Sequence, residues 1–90
     1  MFPKNIGSSL SLDETAFSNG DLYTILTNKK AKGKKGALIA MVKGTKAETV
    51  IKILHRIPLK QRKKVKEVTL DMAGNMGLIV RKSFPNATLV

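Results

Sequence analysis

The apolar period of this chain changes at Gly44-Thr45, and that change narrows its fold class more than any other feature. Before it, Ser8-Ser9-Leu10-Ser11-Leu12-Asp13-Glu14 alternates strictly, with Leu10 and Leu12 on one face, as in a strand ending on two carboxylates. Ser18-Asn19-Gly20-Asp21 is a turn signal. Leu22-Tyr23-Thr24-Ile25-Leu26-Thr27 follows as a second strand of aromatic and β-branched residues, and Ala37 to Val42 as a third. Strands joined by turns in this way predict an antiparallel meander. Met1 to Gly7 has no period and reads as a loose lead-in.

Beyond Gly44 the spacing becomes helical. Thr45-Lys46-Ala47-Glu48 has the form of a capping box, in which hydroxyl and carboxylate each satisfy an amide of the first turn. Ala47, Val50, Ile51, Leu54 and Ile57 then recur at three and four, Glu48 precedes Lys52 in the favourable order, and Pro58 marks the stop. Leu59 to Lys64 is basic and reads as a helical turn or loop. It leads into Lys64-Val65-Lys66-Glu67-Val68-Thr69-Leu70-Asp71-Met72, where the spacing of Val65, Val68 and Leu70 predicts a short, mostly buried strand. Met72, Met76, Ile79 and Val80 share a helical face despite Gly74 and Gly77, and Phe84-Pro85-Asn86 ends that helix. Ala87 to Val90 begins another strand. An apolar strand with no polar tail behind it predicts a domain cut from a longer chain, with an open sheet edge available for self-association.

The order implies an α/β fold with a mixed sheet: three antiparallel strands, then helix, strand, helix and strand, in a single domain over residues 1–90. A helical crossover from an early strand to a later one gives parallel pairing. If the strand ending on Asp71 pairs with the first strand, Asp13 and Asp71 share one sheet edge, outside the carboxyl ends of the strands. Two carboxylates there make a hard-oxygen site for Mg²⁺ or Mn²⁺, and two such ions clamp both oxygens of an in-line phosphodiester displacement.

Charge supplies the partner. Seventeen Lys and Arg against six Asp and Glu give +11 and a pI near 10.3, which points to a polyanion, nucleic acid first. Lys29, Lys30, Lys32, Lys34 and Lys35 crowd one inter-strand tip, and Lys60, Arg62, Lys63 and Lys64 another segment. Both sets suit non-specific phosphate contact, and both read equally as ordinary solvated surface. Aromatic residues, at 4%, are too sparse for a base-stacking platform. His55 has no second His or Cys to share a metal and reads as a surface residue; Tyr23 and the methionines read as core. The absence of cysteine excludes disulfides and thiolate metal sites and suits a reducing compartment. No apolar run is long enough to span a bilayer, and no secretory h-region opens the chain, so the expected location is the cytoplasm.

Taken together, Leu12-Asp13-Glu14-Thr15-Ala16-Phe17, Tyr23-Thr24-Ile25-Leu26, Val68-Thr69-Leu70-Asp71-Met72 and Phe84-Pro85-Asn86-Ala87 resemble the catalytic domain of bacterial insertion-sequence transposases with a DDE triad. The likeness runs from about Leu10 to the last residue. It implies a ribonuclease H-like fold, divalent-metal catalysis, and cutting and joining of DNA strands. By that match Asp13 is the first catalytic acid and Asp71 the second, while Glu14 matches a family position with no ligand role assigned. The family's third acid lies on a helix further downstream, and no acid follows Asp71 here, so the chain alone is expected to be inactive. Two other readings stay open. Asp71 also suits an N-cap for the helix that follows, and the whole chain also suits a small basic nucleic-acid-binding module whose acids are structural.

Overall fold

A computed structural model of the protein describes residues 1–31, 37–70 and 76–90. The alternating segments form Ser9–Ala16 (β1), Leu22–Asn28 (β2) and Leu38–Lys43 (β3), antiparallel in sequence order. β1 continues two residues past Glu14, so the turn is confined to Ser18–Gly20, where Gly20 takes a positive φ of 87°. The helical spacing gives Ala47–Leu54 (α1), followed by Leu59–Arg62 (α2). Glu67–Leu70 (β4), Met76–Ser83 (α3) and Thr88–Leu89 (β5) complete the described elements. The five strands make one mixed sheet in the order β3-β2-β1-β4-β5, with β1–β4 and β4–β5 parallel.

Register puts one face of the sheet under the helices. Leu12 pairs with Leu26 and Leu26 with Ala40, while Leu10 pairs with Val68 across the parallel junction. Because alternate residues of a strand share a face, these side chains form a single apolar surface. Val50 and Leu54 of α1 and Ile79 and Val80 of α3 close over it, and Phe84 and Ile57 seal its margin, all of them buried. Removing each such side chain from water contributes roughly 1.5–3 kcal/mol, so this one layer of contacts dominates stability.

Four expectations change. α1 starts at Ala47 with Lys46 as N-cap, one residue later than the Thr45–Glu48 box predicts, and Lys46 makes no side-chain cap bond. The delay follows from the end of β3: Gly44, at φ 97°, donates its amide to the Leu22 carbonyl, and Thr24 Oγ1 donates to the Gly44 carbonyl, so the chain is still tied to β2 there. α1 also ends at Leu54 rather than Ile57, its exit tightened by Arg56 N–H to Ile53 O and Ile57 N–H to Leu54 O bonds. Most notably, the lead-in is not loose. A 3-10 turn at Pro3–Asn5 docks on β3: Phe2 N–H donates to Ile39 O, and Asn5 Nδ2 donates to Leu38 O. Gln61 Nε2 and Asn28 Nδ2 donate in turn to the carbonyls of Pro3 and Asn5. Side-chain amides thus do what an apolar period does elsewhere. Tyr23, read from its pattern as core, is half-buried and stacks edge-to-face with Phe17 at a centroid distance of 4.7 Å.

Candidate carboxylate face and basic surface

β1 changes character along its length. Ser9 through Leu12 are buried, and Asp13, Glu14 and Thr15 are half-buried. Since Leu12 lies on the helix-covered face, Asp13 lies on the opposite one, with Ser11 and Thr15, and Glu14 returns to the helix side. Asp13 and Glu14 therefore sit on different faces, as adjacent strand residues must. The Asp13 carboxylate has no hydrogen-bond or ion-pair partner among the described residues, where the one ion pair is Lys43 with Asp21 at 3.4 Å.

The parallel neighbour of β1 reaches the same level. Ser9 pairs with Glu67, Leu10 with Val68, Ser11 with Thr69 and Leu12 with Leu70. The residues that follow in sequence are Asp13 and Asp71; Asp71 lies outside the described residues. Thr69, between buried Val68 and Leu70 packed on the core, belongs to the Asp13 face. Among the described residues no three His, Asp or Glu side chains gather into a cluster able to hold a metal.

Of the lysine tip, Lys29 and Lys30 are described, and they stand in a short turn at the end of β2. Asn28 Oδ1 accepts the Lys30 amide at 3.1 Å, an Asx turn that starts a 3-10 turn at Lys29–Ala31. From there Lys29 Nζ reaches across β1 and donates to Thr69 Oγ1 at 2.8 Å. Lys30 is exposed, and Lys32, Lys34 and Lys35 lie outside the described residues. Neither Asn28 nor Thr69 stood out in the sequence as a site residue. The signal for Asn28 was present, an Asn placed two residues before the amide it binds.

The second basic group divides. Lys60, Lys63 and Lys64 are exposed beside the start of β4, at the end of the parallel pair away from Asp13. Arg62 does not join them. It is 7% exposed, with Nε donating to Ile57 O at 2.9 Å and Nη1 to Ser83 O at 3.1 Å. Burial, with Nε and Nη1 committed to main-chain carbonyls, separates it from the exposed lysines that remain candidate DNA contacts. His55 is exposed as expected, its Nε2 lying 2.9 Å from the Lys82 carbonyl. No helix among the described residues is long and apolar enough to cross a membrane.

The model of a protein family described as transposase, of the ISL3 group of DDE transposases, matches residues 10–90. No curated protein and no solved structure matches. The match covers nearly all of the sequence, and the chain belongs to that transposase family.

Proposed function

We propose that this transposase-family chain carries part of a catalytic core for divalent-metal-dependent DNA cleavage and strand transfer, with Asp13 and Asp71 as its paired carboxylates. One observation carries the reading: β1 and β4 run parallel and in register up to Leu12 and Leu70, one residue short of Asp13 and Asp71. One further step of the same pairing would bring Asp71 beside Asp13, and that step is part of the proposal. Asp13, free of protein partners among the described residues, supplies the kind of oxygen donor that Mg²⁺ and Mn²⁺ prefer. Asp13 and Asp71 would hold the ion, which when bound stabilises the charge of an in-line phosphoryl displacement. The chain's own part is to fix two carboxylates on a rigid strand pair and to draw a polyanion to them with its excess of eleven positive charges. DNA is accordingly the partner, and Lys60, Lys63 and Lys64 with the lysine tip are its phosphate contacts.

The same reading covers three further points: a ribonuclease H-like sheet in one domain over residues 1–90, a cytoplasmic location, and self-association at the β5 edge. The antiparallel meander followed by parallel crossovers supports the first. Phe2 and Asn5 occupy two carbonyls of the other edge strand, β3, which directs the last to β5. No acid follows Asp71 in these 90 residues, so the chain alone binds without cutting.

Mn²⁺-induced broadening of amide signals tests the reading, because paramagnetic broadening reports even weak sites. Signals around Asp13 and Asp71 should broaden first, and Asp13→Asn and Asp71→Asn should each remove the effect. Broadening that is uniform, or unchanged in both variants, would overturn the metal assignment and leave a basic nucleic-acid-binding module.

A further inference from the structure

We propose that Lys29 is the phosphate-contacting residue of the carboxylate face, parked on Thr69 until a DNA strand displaces it. The inference rests on the proposed carboxylate pair and goes beyond it, by separating one lysine from the general basic surface.

Three features set Lys29 apart. Its backbone is aimed by the Asn28 Asx turn, which bends the chain back over the sheet as β2 ends. Its ammonium is then caught by the Thr69 hydroxyl at 2.8 Å, so Lys29 spans from β2 over β1 to β4. Thr69 lies on the same face as Asp13, and its partner in β1, Ser11, is two residues before Asp13. At a strand rise of about 3.3 Å per residue, that is roughly 7 Å along the sheet. A strand that follows β1 with its reacting phosphate at the carboxylates would bring a neighbouring phosphate to this ammonium.

The chemistry favours exchange. An ammonium carries three donors and the Thr69 hydroxyl accepts one, so Lys29 can meet a phosphate before it lets go. Its partner is a neutral hydroxyl, and it has no anionic partner among the described residues. A phosphate oxygen makes the shorter, stronger, charge-assisted bond, and so displaces the hydroxyl. A cation at this point also offsets the repulsion between Asp13 and the incoming strand. Lys60, Lys63 and Lys64, at the other end of the β1–β4 pair, cannot do this.

The test is oligonucleotide binding by the 90-residue chain across a range of salt, with Lys29→Met and Thr69→Val compared. Lys29→Met should weaken binding by about fivefold to tenfold at low salt and reduce the slope of log K against log salt by about one. It should also abolish DNA-induced shifts of the Asp13 and Thr69 amide signals. Thr69→Val removes the parking hydroxyl but keeps the ammonium, so its affinity should stay within about twofold of wild type. Loss in Thr69→Val equal to that in Lys29→Met would make the bond a structural staple and overturn the proposal. So would a Lys29→Met variant with wild-type affinity and slope. If the wild-type chain fails to bind DNA at all, the DNA reading of the whole chain falls too; if it binds and Lys29→Met is silent, only this inference falls.

Discussion

Arg62 donates from Nη1 to the Ser83 carbonyl at 3.1 Å and from Nε to the Ile57 carbonyl at 2.9 Å, so one guanidinium joins the end of α3 to the segment between α1 and α2. The last carbonyls of a helix have no partner within it, and they carry the negative end of its dipole. Ser83 O is such a carbonyl and Ile57 O lies in the segment between α1 and α2, and a planar cation with diverging donors satisfies both at once. Arg62→Ala should therefore lower stability by about 2–4 kcal/mol, through two buried acceptors left unpaired. Arg62→Lys should recover only part of it, because a single ammonium does not reproduce the fork. Urea denaturation measures both. A fully stable Arg62→Ala variant, weakened only in DNA binding, would return Arg62 to the binding surface.

That arginine also shows where sequence reading stops. The strands and α1 are legible because burial on one face imposes a period of two or of three and four on their apolar residues. Arg62 stands in a helix of four residues, too short to show a period, next to Lys60 and Lys63. Its acceptors are carbonyls five and 21 positions away, which no pattern of side chains announces. The lead-in is opaque for the same reason, since Phe2, Asn5, Asn28 and Gln61 hold it through main-chain atoms. At the candidate site, the strand that precedes Asp71, found as Glu67–Leu70, and its parallel pairing with β1 are readable from chain order alone. The Lys29–Thr69 bond needs the Asx turn and the β1–β4 register together.

Asn28 ties the lead-in to the lysine turn, with Nδ2 on the Asn5 carbonyl and Oδ1 on the Lys30 amide. Asn28→Ala should cost about 1–2 kcal/mol. Hydrogen exchange of the Phe2 and Lys30 amides should speed up together. Gly7→Ala should imitate it more mildly, because an added Cβ comes within 2.8 Å of Asn28 Nδ2 and must push that amide aside. Exchange that accelerates at only one of the two amides would show that the two bonds act separately.

Asp13 is half-buried and without a protein partner among the described residues, so the fold does not depend on its charge. Asp13→Asn should change stability by less than about 0.5 kcal/mol. The same variant should lose the Mn²⁺ response. A large stability change would instead give Asp13 a structural role and weaken its assignment as a ligand.

Two glycines should respond in opposite directions to the same methyl group. Gly77 lies in the first turn of α3, and a Cβ there would meet Leu89 Cδ1 at 3.7 Å, an ordinary van der Waals contact. Alanine restricts the unfolded chain and suits a helix, so Gly77→Ala should stabilise the protein by about 0.5–1 kcal/mol. Gly44 has open space around it, yet its φ of 97° is one that L-residues rarely adopt. Its conformation is held by the bond from its amide to Leu22 O and by the bond from Thr24 Oγ1 to its carbonyl. Gly44→Ala must strain the backbone or break these ties, and should cost about 1–3 kcal/mol despite the empty space. Thermal melts of the two variants decide the matter. If both rise or both fall, backbone conformation is not what distinguishes the two sites.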